Sequence, residues 1–225
     1  MLNKILLPSF IVLLLLKIGA LNFTTFNLFG DEAQYWLWSR DIDFGYFSKP
    51  PFLAWIIRVY TEILSSSFVL LKLLPSFVYL LVAWGIYNLL INSGLNKKDS
   101  FAGCLIFLFI PAVSFSSFII STDLFLLLFW TLSLNELIKI NSEQGLKNFI
   151  LLGIFLGLAF LSKYAAIYFV ICLFVLILFD KRFRKIFLDN LLYFSLTFLS
   201  VFIIIVPNIV WNFNNDWITL QHTSD

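Results

Sequence analysis

The chain has 225 residues, 61% of them hydrophobic and only 12% charged, with a formal net charge of +2. A soluble domain carries about 25% charged residues, so an ordinary soluble fold is excluded, and so small a net charge gives nucleic acid no footprint to bind. The apolar runs lack strict alternation, which excludes a membrane β-barrel and predicts an all-α polytopic membrane protein.

The first run, Ile5 to Phe23, lacks a small-residue cleavage site and reads as a retained anchor. Further runs fall at about 67–91, 101–120, 124–138, 149–162, 164–179 and 187–206. The stretch 149–179 decides the topology. As one helix of 31 residues it would extend about 46 Å against a hydrocarbon layer of ~30 Å. Lys163 and Tyr164 interrupt it, and the positive-inside rule favours the break. Seven spans with the N-terminus inside place nine bases on the inner face: Lys4, Lys97, Lys98, Lys139, Lys147, Lys181, Arg182, Arg184 and Lys185. The inner face then holds five acids, while the outer face holds six bases and eight acids.

That topology gathers Asp31, Glu32, Thr122, Asp123, Lys163, Asn208, Asn212 and Asp216 on the outer side. The hairpins at Asp123 and Lys163 are short, so their turns are expected below the outer surface. Polar backbone is tolerated at that depth where it lines a wet cavity or is buried in protein. A recessed outer cavity is therefore predicted, with Asp31, Asp123 and Lys163 converging on it.

The connection 24–66 is the one long loop, and five charged residues crowd between Asp31 and Asp43. Ala33 to Arg40 carries Tyr35, Trp36 and Trp38, which suits a helix at the lipid–water boundary. Gly45 permits a turn. Pro50-Pro51 opens a second helix whose positions Leu53, Ile56, Ile57, Tyr60 and Leu64 share an apolar face, with Arg58 and Glu62 spaced to pair. Two interfacial helices are thus predicted in the first outer loop. Lys17 and Lys72, near outer span ends, are expected to snorkel. Pro75, Pro111 and Gly157 read as kinks or close helix contacts. Cys104 and Cys172 read as small buried hydrophobes, and His222 has no ligand-spaced companion.

Four pieces occur in order: Asp31-Glu32-Ala33 with Tyr35 and Trp36; Tyr46-Phe47-Ser48-Lys49-Pro50-Pro51; Ser121-Thr122-Asp123 with Phe129-Trp130; and Leu161-Ser162-Lys163-Tyr164 followed by Pro207-Asn208, Trp211-Asn212 and Asp216-Trp217. This set resembles the GT-C membrane glycosyltransferases that use polyprenyl-phosphate sugars, such as protein mannosyltransferases and the lipid A aminoarabinose transferase. The resemblance implies an inverting transfer of a sugar to a lipid, glycan or protein acceptor, in a bacterial inner (plasma) membrane, with the site facing the periplasm or outside. Members of that class are usually much longer. The chain is accordingly expected to be an N-terminal module, with the C-terminal half of the family absent or supplied as a partner.

Sugar transfer from a lipid phosphate needs a base for the acceptor's proton and cations or dipoles for the phosphate. The resemblance assigns Asp31 as base. The residues alone also allow it as a helix cap. Glu32 beside it orients a backbone or the acceptor, or is merely solvated. Asp123 and Lys163 are ionisable groups at membrane depth and therefore functional candidates, with a cap and snorkelling as the plainer readings. Lys49 is assigned to donor or loop placement by resemblance. Arg40 either clamps a phosphate through two hydrogen bonds or pairs with Asp41 or Asp43. Tyr35, Trp36, Tyr46 and Tyr164 stack on sugars or anchor at the interface. No cofactor is required. Asp31 and Asp123 are compatible with a shared divalent cation, but no histidine or third acid completes a set. Two other functional readings stand beside the enzyme: a non-catalytic remnant or accessory subunit, and a lipid or solute transporter, which would be expected to show internal repeats and a polar path at mid-membrane.

Overall fold

The computed structural model describes residues 3–23 and 27–224; the helices are α1 (Asn3–Phe23), α2 (Gly30–Trp38), α3 (Phe52–Ile63), α4 (Phe68–Asn92), α5 (Lys97–Phe109), α6 (Pro111–Ser116), α7 (Thr122–Glu143), α8 (Leu146–Ser162), α9 (Ile167–Phe179), α10 (Lys181–Asp189), α11 (Leu191–Asn214) and α12 (Ile218–Ser224). No strand occurs among the described residues. The side chain of Lys4 lies outside them. The chain forms two compact units: residues 1–42 with 53–124, and residues 43–52 with 125–225. Among the described residues, α4 and α11 are each long and apolar enough to cross a membrane.

In the first unit, α4 is the central element. Val82 and Ala83 are fully buried on it, α1 and α5 pack against it, and Tyr60 Oη of α3 donates to Leu70 O at 2.8 Å. The α3 face is rotated from the expected one. Leu53, Ala54, Ile57 and Thr61 are buried, while Leu64 is 52% exposed. The i, i+4, i+8 row of Leu53, Ile57 and Thr61 makes the seam, with the Thr61 hydroxyl satisfied by Arg58 O at 3.1 Å. Arg58 and Glu62 do pair, at 2.5 Å. The run 101–120 is not one helix. It stops at Phe109, because Pro111 cannot continue the ladder and instead opens α6 at its first turn.

The second unit is built on α8 and α11. Gly153 and Gly157 on α8 leave no room for a Cβ, which would strike the Thr197 carbonyl and the Ile204 side chain respectively. Thr197 Oγ1 donates to Phe149 O at 2.9 Å, so even the polar residue at this seam is satisfied. Small residues one turn apart allow this close approach. Phe149, Leu152, Phe169, Ile186 and Phe187 form the core beside it. Helix α10 shortens the seventh apolar run at its start. Asp180 caps it by accepting from Arg182 N at 2.8 Å and Phe183 N at 3.0 Å. The chain bends 101° between Tyr164–Phe179 and α10. This leaves Lys181, Arg182, Arg184 and Lys185 exposed while Ile186 and Phe187 enter the core. Cys104 is buried as expected, but Cys172 is exposed. It lies on the outward side of α9, where a thiol costs little against an apolar medium.

Candidate functional site

In the first unit the acidic pair divides into two roles. The α2 helix starts at Gly30 with Phe29 as the residue before it, so Asp31 is inside the first turn rather than the cap. The Asp31 side is exposed, and Glu32 is fully buried. Glu32 is not solvated, which corrects the plainest of its expected readings. Its Oε2 accepts from Phe29 N at 2.8 Å and from Lys72 Nζ at 2.5 Å, and its Oε1 accepts from Ile120 N at 2.7 Å. A buried carboxylate survives only when paired and hydrogen-bonded, and both oxygens are so used. Lys72 does not snorkel. It is 4% exposed and also donates to Phe118 O at 3.4 Å. Lys17 likewise turns inward, donating to Ser76 Oγ at 3.1 Å and to Ser117 Oγ, with its ammonium 4.8 Å from the Phe118 ring centroid.

Asp123 lies in the first turn of α7, exposed, one residue beyond Thr122 where the helix begins. A carboxylate there suits the helix dipole. Tyr35 is buried on α2 between these groups in electrostatic terms. Its phenol is pushed up to about 12, first by burial and then by the carboxylates of Asp31 and Asp123. It is a packed residue against Trp38, with ring centroids 5.7 Å apart, rather than an open stacking face. The Arg40 guanidinium lies over Trp36, 4.4 Å from its centroid. No cluster of three or more His, Cys, Asp or Glu side chains fit to hold a metal ion occurs among the described residues.

In the second unit, Lys163 ends α8 in extended backbone (φ −161°, ψ 134°), and a single 3-10 turn, Tyr164–Ala166, leads into α9. Lys163 and Lys49 line one cavity of about 270 Å³ with Ser48, Pro50, Tyr164 and Tyr168. Two ammonium groups around one hollow favour an anion. Residues 43–50 are held there by the chain's far end. Trp211 Nε1 donates to Asp43 Oδ2 at 2.6 Å, Asn208 Nδ2 to Phe44 O at 2.6 Å, and Thr219 Oγ1 to Tyr46 O at 2.7 Å. Tyr164 Oη donates to Asn208 Oδ1 at 2.9 Å and accepts from Asn212 Nδ2 at 3.0 Å. Tyr164, which lines the cavity, is therefore fixed by α11, and the buried Tyr46 by α12. Asp216 and Trp217 both have left-handed φ, 53° and 58°. Such residues persist where the surroundings over-determine them. Here the turn brings α12 back so that Thr219, fully buried, can reach Tyr46.

Gly45 serves approach rather than turning, since a Cβ there would overlap the Trp211 indole. Gly45→Ala is expected to cost about 1–3 kcal/mol, as overpacking does, read as a lowered thermal midpoint in detergent. Trp211→Phe in the same background, which removes the Asp43 bond, is expected to add little once the contact is already broken.

Sequence reasoning missed Lys72, Trp211 and Thr219 as shapers of these sites. Only the Trp211-Asn212 pair carried a signal, through the ordered motif set.

Helices that concentrate ionisable side chains near their ends suit an enzyme whose substrate is anchored in the same bilayer. Comparison with known proteins narrows this to the GT-C glycosyltransferases. Residues 48–211 match the family model described as dolichyl-phosphate-mannose-protein mannosyltransferase, and the chain belongs to that family. It is 30% identical over 210 residues to the lipid A galacturonosyltransferase RgtD of Rhizobium johnstonii, covering 93% of this chain and 43% of that protein. The chain thus spans less than half the length of this curated relative. No solved structure matches it.

Proposed function

We propose that the protein transfers a sugar from a polyprenyl-phosphate carrier to a lipid acceptor at the outer face of a bacterial inner membrane, with inversion. The observation that carries this reading is the cavity shared by Lys49 and Lys163, two cations brought together from distant segments, in a member of a lipid-phosphate sugar transferase family. Phosphate leaves as an anion, so the donor half of the reaction needs fixed positive charge, and these two ammonium groups supply it. An apolar groove of about 260 Å³, lined by Leu156, Phe160, Leu173, Phe174, Phe198 and Ile205 among others, shares α9 with that cavity and suits the polyprenyl chain. Asp31, exposed at the start of α2, is the base that takes the acceptor's proton. Asp123 adds a second carboxylate and Glu32 orients both. Arg40, exposed with its guanidinium over Trp36, is a further cation available to an anionic group.

The same reading gives the chain seven crossings, with α5 and α6 together making one, and sets α2 and α3 at the outer boundary. The cationic face of α10 then meets the inner leaflet, in keeping with the charge bias.

Lys49→Met and Lys163→Met are each expected to raise the donor KM about 10- to 100-fold, the value of a charge-assisted bond to phosphate. The check is initial-rate transfer from a radiolabelled polyprenyl-phosphate sugar across donor concentrations in membranes. An unchanged KM in both variants overturns the donor assignment.

A further inference from the structure

The structure assigns Lys72 as a positioning residue: by holding Glu32 it fixes the segment 118–120, and with it the start of α7, against the first turn of α2, so that the Asp31 and Asp123 carboxylates keep one separation. The inference rests on the proposed function for its catalytic meaning, and on the first unit's geometry for its content.

Lys72 is set in the apolar helix α4, yet it is 4% exposed and reaches away from the helix. Its Nζ meets Glu32 Oε2 at 2.5 Å and Phe118 O at 3.4 Å. Glu32 is the residue next to Asp31, and its other oxygen takes Ile120 N at 2.7 Å. Ile120 precedes Asp123 by three residues, a distance too short for independent motion. Four groups thus form one link: the α2 start, α4, the Phe118 carbonyl and the Ile120 amide. Lys17 closes on the same segment from α1, through Ser117 and the Phe118 ring.

Stability alone does not explain this choice of residues. Well-packed apolar side chains of similar volume are commonly as stabilising as a buried ion pair. What the pair adds is direction. A carboxylate offers two oxygens at a fixed angle. With Oε2 committed to the ammonium and to Phe29 N, Oε1 points to Ile120 N. A greasy substitute would fill the space and leave the two carboxylate-bearing helix starts free to shift. A displacement of about 1 Å at a reacting group costs on the order of 100-fold in rate.

The test places spin labels at Asp31→Cys and Asp123→Cys in a Cys104→Ala/Cys172→Ala background of the full chain in lipid nanodiscs. Dipolar broadening is read by continuous-wave EPR. Native Lys72 is expected to give one narrow distance distribution, Lys72→Met a broadened or shifted one, and Lys72→Arg the native one. Val82→Ala, a buried truncation on the same helix, serves as the stability control and is expected to leave the spectrum unchanged. If Lys72→Met does not yield folded protein, Lys72→Met/Glu32→Gln, which leaves no unpaired charge, carries the same expectation of broadening. An unchanged spectrum in that variant or in Lys72→Met overturns the inference, and so does equal broadening in Val82→Ala. In transfer assays on unlabelled protein, Lys72→Met is expected to lower kcat about 100-fold with donor KM unchanged, and to cause no further loss in an Asp31→Asn background. Failure of the wild-type protein to transfer sugar would overturn the proposed function, and the EPR result would still decide the geometry.

Discussion

Asp31→Asn is expected to lower turnover by about 10²- to 10⁴-fold, the contribution of a positioned general base. Asparagine keeps the side chain's size and its compatibility with the first turn of α2, where position 31 is exposed. It loses only the ability to accept and hold the acceptor's proton. The loss should therefore appear in kcat, with donor KM little changed, because the proposed phosphate ligands are Lys49 and Lys163. Protein yield and membrane insertion should be unaffected. Single-turnover transfer from a radiolabelled polyprenyl-phosphate sugar separates the chemical step from donor binding. Asp123→Asn is the necessary companion. Both carboxylates raise the Tyr35 phenol, so both act on the same surroundings, and proximity does not choose between them. A smaller loss at Asp123 supports Asp31 as base, whereas a full loss at Asp123 with near-normal turnover in Asp31→Asn moves the base to Asp123.

Those two positions, and the break at Lys163, were legible because each sets a polar residue where the apolar pattern stops. A charge that interrupts oil is visible in one dimension. The Arg58–Glu62 pair was visible for a similar reason, since a spacing of four defines neighbours on a helix. Partnerships across long sequence separations left no such trace. Lys72 and Glu32 are 40 residues apart, and a lysine near the end of an apolar run looks the same whether it turns outward or inward. Trp211 and Asp43 are 168 apart, and two of the bonds holding residues 43–50 end on backbone carbonyls, whose partners no side-chain pattern records. In the sequence the basic run 181–185 is a topology signal. That it starts a helix capped by Asp180 and anchored by Ile186 and Phe187 depends on tertiary packing. Counting apolar residues alone misplaces the buried face of α3. Thr61, satisfied by its own helix, can be buried while Leu64 is left outside.

Lys72→Met is expected to destabilise the protein by about 3–5 kcal/mol, the cost of leaving one member of a buried ion pair uncompensated. The size follows from Glu32 rather than from Lys72 itself. Methionine has a similar volume and fits an apolar helix, so packing is largely kept. Glu32, fully buried, would retain its charge against two backbone amides, Phe29 N and Ile120 N, without a counter-ion. Lys72→Met/Glu32→Gln removes that charge while its amide oxygen still accepts one of those bonds. It should recover much of the loss, leaving about 1–3 kcal/mol for the amide that goes unpaired. Glu32→Gln alone should be as damaging as Lys72→Met, because it strands a buried ammonium and leaves one of the two amides unpaired. Non-additivity is therefore the decisive quantity. A coupling of more than about 1 kcal/mol between positions 32 and 72, from reversible unfolding of the four proteins in mixed micelles, is expected. Additive losses would mean that the two side chains stabilise the fold separately. The carboxylate would then need no lysine to keep its hold on Ile120.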